Sequence, residues 1–288
     1  MTENLTKQLN SCKIAHAPSL SGMPLDIINR ILDKLDPIFR FSLRRVCRNL
    51  RNVIDNRDPE IEQVHVLFQS NQSVLTINST FEFDYNLYAI LDDLASLWKN
   101  PKLQLKSFYA STSGKHQETV VDSFEEIARL DYQIHCKHFG LYLFEFDDVL
   151  TFLPLFKPGI LEEIVITTFE QVGNDEAFDI IETEQWKQAK SITLHSMNKL
   201  SYFTFPIEDL FHLCKFSVSL EELTVFDALK IRNILLKSVH FEAGQINVKN
   251  KIQDDVLRVF NPEFNDNIFR YDNFELTFKL NSLNVKKI

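Results

Sequence analysis

Between Met23 and Ile54 the chain places apolar residues at helical spacing in a stretch too short to bury them by itself. Pro24 suits a first helical turn, where its missing N–H is no loss, and Leu25, Ile28, Ile31, Leu32 and Leu35 then recur along one face. Asp36-Pro37 ends that helix, because the residue before a proline is pushed out of the helical region. Ile38, Phe39, Phe41, Leu43 and Val46 begin a second pattern, too dense for a helix with one covered side. Cys47, Leu50, Val53 and Ile54 add a third stripe, and Asp55, Asn56, Asp58 and Pro59 close the region. The spacing predicts about three short helices. Segments below roughly 40 residues rarely stabilise a core unaided, and each exposed apolar side chain forgoes roughly 1.5–3 kcal/mol. A docking module is therefore expected, with a partner over part of its surface.

Met23-Pro24-x-Asp26-x-Ile28, Ile31-Leu32, Leu35-Asp36, Phe41, Val46-Cys47-Arg48 and Val53 resemble an F-box. The resemblance implies docking on a Skp-type adaptor and, through it, on a cullin RING ubiquitin ligase. The residues expected to make that contact are Pro24, Leu25, Ile28, Ile31, Leu32, Leu35, Pro37, Phe39, Phe41, Val46 and Leu50. Two positions depart from the family pattern: Arg40 stands where an acidic residue is common, and Leu50 where many members carry Trp.

Charge is unevenly distributed. Residues 24–57 hold eight Lys or Arg against four Asp, a net of +4, which leaves −13 for the rest of a chain whose total is −9. The basic stretch matches an acidic adaptor, where complementary charge mainly raises association rate and specificity; a solvated helix face is the plainer reading. Arg44, Arg45, Arg48 and Arg51 are also spaced to face phosphates, but an acidic body repels a nucleic-acid backbone, so direct nucleic-acid binding is not expected.

At 288 residues, with 25 Phe and only 6 Gly, the chain has much apolar bulk to bury and little freedom for glycine-rich phosphate cradles. Four unpaired-looking cysteines, no apolar run of membrane length and no apolar core in the first 22 residues point to a reducing, cytoplasmic or nuclear setting, with no membrane partner. The N-x-S/T triplets at Asn4, Asn71 and Asn78 carry no weight in that setting.

Residues 1–20 are expected to be a flexible tail, 21–58 the F-box, and 59–288 one continuous α/β (α+β) domain. Strands are predicted at 63–68, 74–83, 105–110, 139–143, 161–167, 191–195, 222–225, 239–248 and 274–280. Helices are predicted at 87–99, 118–130, 147–156, 183–189, 206–216, 227–238 and 252–260. Ile164 to Ile192 is 28 residues and Ile192 to Leu223 is 31, an interval that suits an irregular leucine-rich-repeat-like solenoid of strand-helix units. A doubly wound α/β domain is the alternative.

Leu153-Pro154-Leu155-Phe156-Lys157-Pro158-Gly159-x-Leu161-Glu162-Glu163-Ile164, Thr183-Glu184-Gln185-Trp186-Lys187-Gln188-Ala189-Lys190 and Phe205-Pro206-Ile207-Glu208 resemble the FTH domain, over about 130–270. F-box followed by FTH is the order of the nematode F-box A family, whose second domain is thought to engage a protein partner. Read as physics, Lys157-Pro158-Gly159 turns a helix end into a strand. Trp186 reads as an anchor of a short helix on the sheet, or as a partner contact, since Trp is enriched in binding hot spots.

The sequence offers no complete catalytic constellation, cofactor motif or metal-ligand set, and none is expected. His135-Cys136-Lys137-His138 lacks a second Cys/His pair at ligand spacing. Ser113-Gly114-Lys115-His116 departs from a phosphate loop at both its first glycine and its Ser/Thr position. Asp92-Asp93 and Asp147-Asp148 diverge in direction on helices, and Cys47 sits inside an apolar module. The chain thus reads as a non-catalytic substrate receptor of a ubiquitin ligase that takes an unknown protein target. The alternative is a non-degradative scaffold holding a partner such as an RNA-binding protein.

Overall fold

The structure, a computed structural model, describes residues 22–69, 72–79, 81–113, 117–129, 132–169, 174–198, 202–263 and 268–288. The 1–20 tail, Asn71 and the Gly114–His116 part of the phosphate-loop lookalike lie outside the described residues. The chain divides into two compact units, one running to Glu60 and including Asn100–Lys102, the other holding 61–99 and 103–288.

Among its described residues the first unit carries three helices, α1 (Leu25–Leu32), α2 (Pro37–Arg44) and α3 (Arg48–Asp55). Proline opens both early turns, as Pro24 precedes α1 and Pro37 is the first residue of α2. Ile28 and Leu32 of α1 meet Leu50 and Ile54 of α3 in a buried cluster, with Met23, Leu35, Leu43, Cys47 and Val53 packed around it. Helix ends leave carbonyls without intrahelical partners, and side chains satisfy them here. Arg40 Nε donates to Leu32 O and Leu35 O, both at 2.9 Å, at the end of α1. Asn100 Nδ2 donates to Asp55 O and Arg57 O at 3.0 and 2.8 Å, and Lys102 Nζ to Asn56 O at 2.9 Å, at the end of α3.

Among its described residues the second unit is built on a mixed 12-stranded sheet. In chain order it runs β1 (Gln63–Phe68), β2 (Ser73–Ile77), β3 (Phe81–Tyr85), α4 (Leu87–Trp98), β4 (Gln104–Thr112), α5 (Gln117–Ala128), β5 (His135–Tyr142) and α6 (Val149–Phe152). It continues with β6 (Glu163–Thr168), α7 (Asn174–Ile181), α8 (Glu184–Gln188), β7 (Ser191–Ser196), β8 (Lys215–Leu220), α9 (Val225–Asn233), β9 (Ala243–Val248), α10 (Asp254–Phe260), β10 (Ile268–Tyr271), β11 (Phe274–Lys279) and β12 (Ser282–Lys287). The sheet order is β10-β11-β12-β9-β8-β7-β6-β5-β4-β1-β2-β3. From β1 through β4 to β9 the strands are parallel and follow the chain without reversal, so the order has no switch point of the doubly wound kind. Hairpins extend both ends antiparallel.

Register makes the core. Val64, Phe108, Phe139, Ile164, Ile192, Phe216 and Gly244 lie side by side across the parallel strands, and all but Gly244 are large apolar residues. The phenylalanine surplus packs against this row: Phe139 and Phe156 rings lie 4.7 Å apart, Phe124 and Phe152 4.4 Å, and Trp98 stands edge-on to Phe108 and Phe124 at 5.1 Å.

Three expectations are corrected. The stretch read as one strand over 74–83 is the β2–β3 hairpin, turned by Asn78 and Ser79 at φ of 51° and 58°. The helix read over 206–216 is a 3-10 turn at Ile207–Leu210 followed by β8, whose Lys215–Leu220 alternation is a strand period. The strand read at 222–225 is the entry to α9, where Thr224 and Asp227 form a reciprocal capping box. Ile192 therefore pairs with Phe216 rather than Leu223. Helix α7 and strands β10 and β12 were not foreseen.

Candidate functional site

Two surfaces present chemistry: the helical module, and the face of the parallel strands opposite the aromatic core.

In the module, the residues put forward for adaptor contact divide by burial. Ile28, Leu32, Phe41 and Leu50 are buried, at 4, 0, 7 and 2 % exposure, and Ile28, Leu32 and Leu50 belong to the core cluster. Ile31, Leu35 and Pro37 are half-buried. Pro24, Leu25, Phe39 and Val46 are exposed, the last three at 59, 47 and 60 %. Ile27, also exposed, joins them and was missed because it lies off the periodic stripe. Helical periodicity picks out an apolar stripe; it does not say which of its members fill the core and which are left outside.

The cations divide in the same way. Arg44 donates from Nε to Asp55 Oδ1 at 2.5 Å and from Nη2 to Oδ2 at 3.2 Å, a bidentate pair. Arg57 pairs with Asp33 and donates to Asn29 Oδ1 at 2.9 Å, and Arg40 pairs with Glu60 at 3.0 Å. These three are engaged inside the fold. Arg30, Lys34, Arg48 and Arg51 are exposed and give the surface its positive charge. Arg40, the departure from the family pattern, is a buried internal brace.

On the second unit, alternate positions of the parallel strands turn away from the core, and in two of their rows all but Gly140 and Ser219 stay partly or fully exposed. One row reads His65, Tyr109, Gly140, Val165, Thr193, Ser217, Gln245, and the next Leu67, Ser111, Tyr142, Thr167, His195, Ser219, Asn247. Gly140 is fixed by its neighbours. A methyl group there would overlap the Tyr109 ring and come within 3.0 Å of Tyr142 Cε2, so both rings lie across the glycine. Their centroids are 6.1 Å apart at 47°, and His65 meets Tyr109 edge-on at 6.3 Å. Burial, followed by the Glu163 carboxylate, pushes both phenols above their ordinary range.

His195 sits between two hydroxyls, Nε2 at 2.9 Å from Ser217 Oγ and Nδ1 at 3.0 Å from Ser219 Oγ. Burial lowers its pKa, which favours the neutral ring. A serine nucleophile paired with histidine needs the second ring nitrogen oriented by a third group, normally a carboxylate. Here a hydroxyl occupies that place, and the arrangement is a polar clamp.

The FTH-like motif residues are internal. Trp186 is 2 % exposed and donates from Nε1 to Asp209 O at 3.4 Å. It ties α8 to the 3-10 turn at Ile207–Leu210, and at this burial its indole packs inside the unit. Gln185, beside it, donates to Phe156 O at 2.8 Å, tying α8 to the preceding segment. Gly159 takes φ 77°, a left-handed turn that favours glycine, and Lys157 N returns to Ile134 O at 3.0 Å. Cys136 of the His135–His138 cluster is buried, its thiol donating to His138 O at 3.2 Å. Among the described residues, no group of three or more His, Cys, Asp or Glu is placed to hold a metal ion, and no helix is long and apolar enough to cross a membrane.

A three-helix module with apolar residues left outside its core, followed by a large strand-helix unit, is the plan of an F-box protein. The F-box domain matches residues 20–62 and the FTH domain residues 118–263. F-box A protein 224 of Caenorhabditis elegans is 30 % identical over 88 % of this chain and 74 % of its own length. The chain belongs to this nematode F-box A family, with its F-box and FTH domain. No solved structure matches it.

Proposed function

We propose that this chain is the substrate-recognition subunit of an SCF-type cullin RING ubiquitin ligase, acting in the cytoplasm or nucleus. Its first unit docks on a Skp-type adaptor, and its second unit recruits the protein to be modified. The observation that carries this reading is the exposure of Leu25, Phe39 and Val46 on a basic module whose own core is already filled by Ile28, Leu32, Leu50 and Ile54. Apolar side chains left out of a completed core are surface that a partner can cover. Pro24 at the start of α1 and half-buried Ile31, Leu35 and Pro37 form the margin of the same contact. Arg30, Lys34, Arg48 and Arg51 steer an acidic adaptor toward it. The chain acts as an adaptor rather than as the catalyst, in keeping with its family. The chain-ordered parallel strands are an irregular leucine-rich-repeat-like solenoid, each unit covering the next.

Co-elution of the purified chain with a Skp-type adaptor and cullin tests the reading. Phe39→Asp and Val46→Asp are the informative variants, since both positions are exposed. A chain that fails to co-elute while its helices remain folded overturns the proposal. Blocking the cullin ligase separates a receptor, whose target then accumulates, from a scaffold that holds a partner without degrading it.

A further inference from the structure

The face of the parallel strands that carries Tyr109, Tyr142 and Glu163 has a chemistry that selects its occupant. We propose that it seats an arginine- or lysine-bearing segment of the target protein, with the cation over the Tyr109 and Tyr142 rings and Glu163 as its counter-charge. This rests on the reading that the second unit holds the target, and adds the surface and the chemistry of recognition.

The platform is built by register. Tyr109, Gly140 and Val165 are lateral neighbours on β4, β5 and β6, and Tyr142 pairs with Thr167 in the next row on the same face. Because Gly140 has no side chain, the two tyrosine rings fold over it, with centroids 6.1 Å apart, and both remain half-buried rather than enclosed. His65 buttresses Tyr109 from β1. A tyrosine ring face is electron-rich and attracts guanidinium or ammonium groups within about 6 Å, an attraction that grows when the cation is desolvated.

Charge points to the same partner. Glu163 precedes Val165 by two residues and shares its face, and its carboxylate is close enough to raise both phenols. His138 Nδ1 lies 3.9 Å from Glu163 on the neighbouring strand. Burial lowers the pKa of His65 and of His195, so both rings are mainly neutral at pH 7. Lys215, in the row that includes Glu163, is paired with Glu242 at 3.1 Å. The residues outside 24–57 also carry a net −13. Around the platform stand short, half-buried side chains, Ser111, Ser191, Thr193 and Ser217, which allow a peptide backbone to approach the sheet. Aromatic rings on a sheet also suit stacked bases, but single-strand binders place them in a cationic groove, and Glu163, on a part of the chain that is net negative, opposes phosphate.

The full chain is to be tested against arrays of random decapeptides fixed at the centre as Arg, Lys, Ala or Glu, and against a random single-stranded RNA decamer. The Arg and Lys sets are expected to bind above Ala and Glu, with the RNA unbound. For an arginine peptide, Glu163→Gln and Tyr142→Leu should each weaken binding about tenfold, while Tyr142→Phe, which keeps the ring, stays within about twofold. Glu163→Gln is a conservative change at a half-buried position and keeps the test readable if Tyr142→Leu unfolds the sheet. Binding of the Glu set, binding of the RNA, no binding by any set, or indifference to Glu163→Gln would overturn the inference. Adaptor co-elution, measured on the same samples, reports on the docking module separately. Its persistence without peptide binding sinks this inference alone; its loss with peptide binding intact sinks the docking reading alone.

Discussion

Arg40→Glu would install the acidic residue that many F-boxes carry at this position, and the structure predicts that it damages this one. The Arg40 side chain is 7 % exposed, with Nε shared between Leu32 O and Leu35 O at 2.9 Å and Nη2 3.1 Å from Glu60 Oε2. A buried hydrogen bond from a charged donor contributes about 1.5–3 kcal/mol. The pair with Glu60 adds at most about 1 kcal/mol, because that carboxylate is 56 % exposed and solvent-screened. Arg40→Met should therefore cost the module about 2–4 kcal/mol, leaving the end of α1 without its donor. Arg40→Glu should cost more, since it buries a carboxylate against two carbonyl oxygens and near Glu60; unpaired buried charges typically cost about 3–5 kcal/mol. Hydrogen exchange across α1 to α3 measures the loss locally, with the strands of the second unit as internal reference. If Arg40→Glu leaves the protection of α1 within about 0.5 kcal/mol of the native chain, the brace is not what holds the module together.

Trp186→Ala should destabilise the second unit by about 3–5 kcal/mol in urea unfolding, and Trp186→Phe by clearly less, because a buried anchor loses packing in proportion to volume. Thr224→Ala removes half of the capping box of α9 and should cost about 1 kcal/mol in the same assay. Burial pushes the Cys136 thiol up to about 12, so iodoacetamide at pH 8 should leave Cys136 unlabelled in the folded chain and label it on unfolding. The same raised pKa gives a pH dependence. The thiol's contribution to stability is intact below the unfolded thiol value and falls by up to about 1.4 kcal/mol per pH unit between roughly pH 9 and 12; Cys136→Ala should flatten that part of the curve.

What could be read from the residues followed from local physics. β1 and β7, with clean alternation, and α4, with a long amphipathic stripe, lie where their patterns place them to within a residue or so at each end. The errors came where two local signals competed. Glu222-Leu223-Thr224-Val225 alternates like a strand, yet Thr224 and Asp227 stand three apart as a capping box and set the start of α9. Cys214-Lys215-Phe216 ends an apolar run that reads as helix until the alternation beyond it is given priority. Val74 to Phe83 was broken by Asn78, a residue tolerant of the left-handed turn it adopts. The candidate site was less legible. Leu25 and Leu32 share an apolar stripe, and only the packed module shows that one is outside and the other inside. The tyrosine platform joins residues 33 positions apart through strand register, with a glycine between them in space, and no local pattern announces it.

The central claim is that exposed apolar residues of α1 and α2, with Val46 just beyond, form the adaptor contact. Titration of a purified Skp-type adaptor into the full chain by calorimetry tests it most directly. The account predicts a one-to-one complex that Phe39→Asp and Val46→Asp each weaken at least about tenfold, close to the 1.4 kcal/mol expected from losing the burial of one partly exposed apolar side chain. Absence of binding by a chain whose helices are intact, or full affinity in both variants, would contradict it.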